Sequence, residues 1–209
     1  MISTLHKTEG SGYSGFIFKH DVSETEREQI VWSSLRQGNR KALDYIFEKY
    51  IRLLYAYGNK ISKDYGLIED CIQDLFVELW NKRELLAESV HIKFYLMKSL
   101  RRRVVRRLMN ESRLSTEQLH EHDYENNLEF SAEFHIIQEQ SFQEQRQQLT
   151  EAIAQLSTRQ REAVYLKFYE QLSYEEIAGI MNLTVKSAYK LIGKAIDSLR
   201  KTCHYIVRS

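Results

Sequence analysis

Proline is absent from the 209-residue sequence, which also has only eight glycines and two cysteines. Without proline, long uninterrupted helices are expected. Cys71 and Cys203 have no histidine at metal-ligand spacing, so we expect buried, reduced thiols rather than a disulfide framework or a zinc site. No apolar run approaches the roughly 20 residues that cross a bilayer, and residues 1–22 lack a signal-peptide core. A cytoplasmic location is therefore expected.

Groups that would perform covalent chemistry are also missing. The seven histidines are scattered, no Gly-rich phosphate loop is present, and the carboxylates cluster on a linker or a helix face. An active site brings a nucleophile, a base and a stabilising group together. We therefore expect no enzymatic activity, no cofactor, no metal and no small-molecule substrate.

Charge is segregated along the chain although the net charge is only +1. Residues 93–113 carry eight Lys or Arg and one acid, and residues 186–208 carry six Lys or Arg and one acid. Between them, residues 115–145 carry eight acids and no Lys or Arg. We predict an all-α protein with a flexible tail at 1–22, a helical domain at 23–112, an acidic linker at 113–134 and a second helical domain at 135–209.

Four helices are predicted in the first domain. Ser23 and Glu26 have the form of a capping box, and Gly38 ends that helix. Asn39 caps a helix from Arg40 to about Ser62, and its apolar residues on several sides make it the expected centre of a bundle. Gly66 marks the next break. The remaining two helices are predicted at 67–81 and 90–110.

The third predicted helix is apolar on one side and acidic on the other. A solvated acidic face is the ordinary explanation for such a pattern. Two large residues near the rim of this face, Phe76 and Trp80, indicate a protein-binding surface instead.

The fourth predicted helix is strongly basic. It can pack its apolar side while presenting Arg102, Arg103, Arg106 and Arg107 outward, and such a face binds phosphates. Phe94 and Tyr95 are placed to stack on unpaired bases. A membrane surface is the weaker alternative, because interfacial Trp and a broad apolar face are missing.

Residues 172–200 have the pattern of a helix-turn-helix. Ser173 caps a helix from Tyr174, Asn182 suits the left-handed turn, and Thr184 caps a second helix from Val185 to about Leu199. An ordinary helical hairpin with a solvated basic face is the alternative. DNA binding is favoured because the second helix is basic and offers groups suited to bases and phosphates. These groups are Lys186, Ser187, Tyr189, Lys190 and Lys194.

Taken together, these motifs resemble a bacterial sigma factor of the extracytoplasmic-function (ECF) group, within the sigma-70 family. The C-terminal segment matches through Leu156, Arg161, Glu162 and the run Ser-Tyr-Glu-Glu-Ile-Ala from Ser173. The first domain matches independently through the segment IEDCIQDLFVELW. The chain is also similar to the subgroup common in Bacteroidetes-type bacteria.

The resemblance implies two domains that bind core RNA polymerase and promoter DNA. It implies contact with the clamp coiled coil of the largest polymerase subunit through Asp70, Gln73, Asp74, Phe76 and Trp80. It implies reading of the minus-35 element by the helix-turn-helix residues. It implies melting and reading of the minus-10 element by Phe94, Tyr95, Lys98, Arg101, Arg102, Arg103, Arg106 and Arg107. An anti-sigma factor, in some relatives membrane-bound, is a further implied partner.

Two other functions remain open at this point. A helix-turn-helix regulator would bind promoter DNA without polymerase, and its acidic helix would have no special role. An RNA-processing enzyme would use the basic helix as a substrate platform, but no catalytic cluster supports it.

Overall fold

The computed structural model describes residues 23–88, 91–114 and 149–203, and these residues form helices with no strand among them. The first domain consists of α1 (Glu24–Arg36), α2 (Arg40–Ile61), α3 (Tyr65–Asn81), a short 3₁₀ helix (Arg83–Leu85) and α4 (Ile92–Leu114). The second part consists of α5 (149–154), α6 (Thr158–Val164), a π-helix (Tyr165–Tyr169), α7 (Tyr174–Met181) and α8 (Val185–Cys203). The all-α prediction is confirmed.

Two predicted segments fall mostly outside the described residues. The tail at 1–22 is one, and the acidic linker from residue 115 onward is the other. Residues 113 and 114, assigned to the linker from the sequence, instead form the end of α4. The basic helix therefore runs one turn further than its composition predicted.

The helix starts follow from local side-chain chemistry. Ser23 accepts a hydrogen bond from the Glu26 amide at 3.3 Å, and the Glu26 carboxylate accepts one from the Ser23 amide at 2.9 Å. The same reciprocal arrangement caps α6 and α7. Each box satisfies two amides that have no partner inside the helix, which fixes where the helix begins.

The start of α3 differs from its prediction. The Asp64 carboxylate accepts a hydrogen bond from the Leu67 amide at 2.9 Å and so caps a helix that already includes Tyr65. Gly66 lies exposed in the first turn instead of ending the preceding segment. The side-chain cap therefore outweighs the low helix propensity of a single glycine.

α2 lies at the centre of the first domain, as its apolar residues on several sides predicted, and contacts α1, α3 and α4. Tyr57 on α2 is fully buried, and Trp32 on α1 donates its indole N–H to the Ala87 carbonyl at 2.8 Å. The core is completed by fully or almost fully buried aliphatic residues, namely Leu35, Ile46, Leu54, Ile68, Ile72, Leu79, Ile92, Leu96, Met97 and Leu100.

The two domains share one hydrophobic core. α6 and α7 pack on α8 within the second domain, and in addition α7 packs on α4 while α6 packs on α2. Buried residues of the second domain, including Leu166, Ile177 and Ile180, belong to the same cluster as those of α1 to α4. The sequence predicted two domains but gave no indication that they are in contact.

Two helical glycines provide a matched test of how closely α2 packs against α3. A Cβ at Gly58 would lie 2.6 Å from Cγ2 of Ile68, whereas a Cβ at Gly193 would meet no atom within 4 Å. Ile68 is fully buried and β-branched, so its methyl group has little room to move. We expect Gly58→Ala to lower the free energy of unfolding by about 1–3 kcal/mol through overpacking.

Gly193→Ala is the control for that measurement. Replacing a helical glycine where space is free raises helix propensity, so we expect a gain of roughly 0.5–1 kcal/mol. Urea unfolding followed by circular dichroism compares the two variants. A stabilising Gly58→Ala change would contradict the close approach of α2 and α3.

Candidate nucleic-acid interface

A left-handed turn orients α8 against α7. Asn182 has φ +53°, and the Leu183 amide donates to the Ala178 carbonyl at 2.9 Å. Thr184 accepts a hydrogen bond from the Ser187 amide at 3.1 Å, which caps α8. The predicted cap, turn residue and second cap are therefore all present in a helix-turn-helix geometry.

The five residues predicted to read DNA on α8 are all exposed. The Tyr189 ring stacks on Tyr174 of α7, with 3.6 Å between ring centroids and 15° between planes. Lys167 lies 4.6 Å from the Tyr174 ring. This stack fixes the position of Tyr189 on the exposed face of α8. Sequence reasoning missed Tyr174, because no spacing rule pairs the first residue of α7 with the fifth of α8.

The eight residues predicted to contact the minus-10 strand all lie on α4 but differ in exposure. Lys98, Arg102 and Arg106 are exposed, and the Lys98 ammonium lies 5.6 Å from the Phe94 ring. Tyr95 is half-buried, with its ring 5.4 Å from that of Trp32 in an edge-on arrangement. The fully accessible positive charge of this helix is therefore smaller than its sequence suggests.

Two of the predicted DNA-binding arginines form ion pairs with α3. Arg103 is 8% exposed and pairs with Glu78. Arg107 bridges Asp70 at 3.1 Å and Asp74 at 2.6 Å. A hydrogen bond from the Lys82 ammonium, and then the charge of Arg103, lower the pKa of Glu78, so its carboxylate stays ionised. Arg103 thus joins α3 to α4 and is not on the DNA-facing surface.

Two further members of the set, Phe94 and Arg101, face the second domain. Arg101 Nε lies 2.7 Å from Glu162 Oε1 on α6, and the Tyr57 hydroxyl donates to the same oxygen at 2.7 Å. Burial, and then the negative charge of Glu162, raise the pKa of Tyr57 well above its ordinary value, so the hydroxyl remains protonated and can donate. The Phe94 ring lies against Gly179 of α7.

The acidic face of α3 is exposed at Asp70, Gln73 and Asp74. Because the Arg107 pairs are exposed, each contributes only about 0–1 kcal/mol and can be exchanged for a partner's charges. Val77 lies on the same helical face, one turn beyond, with 60% of its surface exposed. Sequence reasoning missed Val77, which adds an apolar contact to the acidic face.

The two aromatic residues assigned to this face are less accessible than predicted. Phe76 is 7% exposed and packs edge-on against Phe47, with ring centroids 5.0 Å apart. Trp80 is half-buried, with the guanidinium of Arg83 4.6 Å and that of Arg40 5.8 Å from its ring. Phe76 therefore packs beneath α3 in the core. Trp80 is only partly accessible to a partner, because the two guanidinium groups lie over its ring.

Within the part of the chain that the structure describes, no group of His, Cys, Asp and Glu side chains is arranged to hold a metal ion. Over the same residues, no helix is long and apolar enough to cross a membrane.

The fold and the two basic helices define a two-domain, helical DNA-binding protein. The sigma-70 region 2 family model matches residues 46–114, and the sigma-70 region 4 family model matches residues 146–199. Together they cover more than half of the sequence, in the order and at the positions of the two domains. The chain belongs to the sigma-70 family, whose members direct transcription initiation. A search of curated proteins found no match.

Solved structures with a similar fold include two complexes. One is the sigma factor RpoE with the anti-sigma factor NepR from Bartonella quintana, at 20% identity and a TM-score of 0.57, covering 76% of this chain and 94% of that one. The other is CnrH with the cytosolic domain of CnrY, at 17% identity and a TM-score of 0.56, covering 87% of this chain and 99% of that one. At these identities the likeness concerns the fold.

Lys190 and Lys194 lie one helical turn apart on the exposed face of α8 and allow base reading to be separated from phosphate binding. We expect Lys190→Ala to change the preference among promoters, since losing a base contact costs about 1–3 kcal/mol at one position. We expect Lys194→Ala to weaken all promoters by a similar factor and to reduce the salt dependence of binding. Transcription with core polymerase on a panel of minus-35 variants measures both effects. Equal losses on every promoter for both variants would contradict base reading at Lys190.

Proposed function

We propose that the chain is an alternative sigma factor of the ECF group that binds core RNA polymerase and directs it to promoters. The observation that carries this proposal is the presence of both sigma-70 regions on one chain, with an exposed acidic helix face in the first and an exposed basic recognition helix in the second. Its role is recruitment and DNA melting, without covalent chemistry by its own residues.

The polymerase contact is assigned to α3. Asp70, Gln73, Asp74 and Val77 share one exposed helical face, so they offer two carboxylates, an amide and an apolar side chain to a partner. Such a face fits a basic, partly apolar helical surface, the kind of partner provided by the clamp coiled coil of the largest polymerase subunit. Trp80 contributes at the rim and Phe76 supports α3 from beneath.

The minus-35 contact is assigned to α8. Its N-terminal part presents Lys186, Ser187, Tyr189 and Lys190 to base edges in the major groove, and Lys194 reaches the phosphate backbone. The minus-10 contact is assigned to α4, where Lys98, Arg102 and Arg106 hold phosphates and Phe94 stacks on an unpaired base. Arg103 and Arg107 act indirectly, because they are paired with α3.

The proposed partners also set where the protein acts and how it is controlled. Bacterial RNA polymerase and the promoter lie in the cytoplasm, so the protein acts there. RpoE, which has a similar fold, was solved with the anti-sigma factor NepR, and CnrH was solved with the cytosolic domain of CnrY. An anti-sigma factor, either soluble or anchored in a membrane, is therefore proposed as the regulator. Membership of the Bacteroidetes-type subgroup stays a prediction from the sequence.

A helix-turn-helix regulator acting without polymerase is the alternative function. It accounts for the exposed residues of α8, but it assigns no role to the exposed acids of α3 or to the region 2 match. Copurification with core polymerase distinguishes the two, because only a sigma factor requires that association.

Charge reversal on α3 tests the polymerase contact. Asp74→Arg should abolish run-off transcription and retention on immobilised core polymerase, because it places a cation where the partner is basic. Asp44→Arg is the matched control, because Asp44 is exposed on α2 and undergoes the same change in charge. We expect the control to retain near-normal transcription.

Unfolding by urea should show that both variants are folded. Equal polymerase binding by wild type and Asp74→Arg would remove the assignment of α3. Failure of the wild-type protein to bind polymerase, together with unaided binding to duplex promoters, would favour the regulator.

A further inference from the structure

The second domain covers part of the strand-binding surface assigned to α4. α7 lies against α4, and α6 lies against α2. At Gly179, an added Cβ would come within 2.9 Å of Cζ of Phe94, and Phe94 supplies the neighbouring atoms within 4 Å. The ring of Phe94 therefore rests on the backbone of α7, and this side of the ring cannot stack on a base in the same arrangement.

Glu162 forms the polar centre of this contact. Its side chain is 3% exposed, and that of Arg101 is 13% exposed. Glu162 accepts Nε of Arg101 at 2.7 Å, Nη2 of Arg101 at 3.4 Å and the hydroxyl of Tyr57 at 2.7 Å. A guanidinium donates to a phosphate through the same pair of N–H groups. The carboxylate of Glu162 thus occupies the position on Arg101 that a DNA phosphate would take.

A second ion pair also joins a cation of α4 to a carboxylate of the second domain. The ammonium of Lys93, beside Phe94 on α4, lies 2.5 Å from the Glu170 carboxylate at the end of the π-helix. The Tyr57 ring of the first domain also stacks on the Tyr165 ring of the second, with centroids 6.3 Å apart. The second domain therefore meets cations and aromatic rings of the first domain with carboxylates and aromatic rings of its own, which is how a single strand would meet them.

We propose that Glu162 is an internal competitor for nucleic acid: it holds Arg101 while the second domain covers Phe94, so α4 binds a DNA strand only after the two domains separate. This inference rests on the proposed strand-binding role of α4. It assigns Glu162 a regulatory contact in addition to its place in the family's sequence signature.

The closed and the strand-bound states differ in which anion pairs with Arg101. In the closed state the guanidinium is paired with Glu162, and in the bound state it is paired with phosphate. In a free open state it is solvated. Because the closed pair is sheltered from solvent, salt screens it less than it screens an exposed pair. The apparent affinity for a strand is reduced by the fraction of molecules that are closed.

Two variants open the interface by different routes. Glu162→Gln removes the carboxylate charge, so Arg101 becomes an unpaired buried cation that is better solvated in the open state. Gly179→Leu adds a side chain where Phe94 now rests, without changing any charge. Glu175→Gln, at an exposed acid of α7, is the charge-matched control for the first variant, and Gly193→Leu, where a Cβ meets open space, is the control for the second.

Two measurements use the full chain without polymerase. Energy transfer between dyes at Asp44→Cys on α2 and Asp197→Cys on α8 reports the distance between domains, with Cys71 and Cys203 replaced by alanine. Fluorescence anisotropy reports binding of a labelled single-stranded oligonucleotide. We expect Glu162→Gln and Gly179→Leu to lower energy transfer and to tighten strand binding. A tenfold rise in the open fraction gives roughly a tenfold gain in affinity. The controls should match the wild type.

Arg101→Gln separates opening from binding. It should lower energy transfer as Glu162→Gln does, but without the gain in strand affinity, because it also removes the phosphate contact. Unchanged energy transfer in both opening variants would overturn the proposal, and so would opening without tighter strand binding. Retention of the same proteins on core polymerase is measured separately. If the wild-type protein is not retained on core polymerase, the sigma-factor function is contradicted. The energy-transfer and strand-binding measurements would still decide the role of Glu162.

Discussion

The contact of Glu162 with Arg101 and Tyr57 determines how the rest of the molecule is arranged. It joins α6 of the second domain to α2 and α4 of the first, and it lies within a hydrophobic core that runs through both domains. A buried carboxylate is tolerated only when its hydrogen bonds and its charge are satisfied, and removal of one partner from such a pair costs about 3–5 kcal/mol. Loss of either partner would therefore weaken the contact between the two domains.

A second set of charges links the surface proposed for polymerase to the surface proposed for DNA on the first domain. Arg103 and Arg107 extend from the basic helix α4 to carboxylates on the acidic helix α3. The surfaces proposed for polymerase and for DNA are therefore joined by the ion pairs between α3 and α4. The exposed pairs of Arg107 are weak enough to be exchanged, whereas the buried Arg103 is part of the packing. A partner that binds Asp70 and Asp74 would release Arg107, and this release would couple the two proposed contacts electrostatically.

Much of the fold followed from local signals in the sequence. Capping boxes at Ser23 and Ser173, the Asn182 turn and the Thr184 cap each involve residues within a few positions of one another, so their chemistry is visible in the sequence. The exposed residues of α8 followed from helical periodicity for the same reason. The start of α3 was misjudged because Asp64 is an equally local cap whose effect competes with Gly66. The left-handed Gln171, at φ +56°, carried no sequence signal at all.

Most helix positions, the helix-turn-helix and the segregation of charge were thus determined by the sequence alone, because periodicity and capping act over one or two turns. Tertiary structure decided which charges are available. Only packing could show that Arg101 pairs with a residue 61 positions away, that Arg103 is buried against α3, and that Phe76 belongs to the core. The physical reason is that accessibility depends on which helix faces meet, and contacts between distant segments leave no periodic trace in composition.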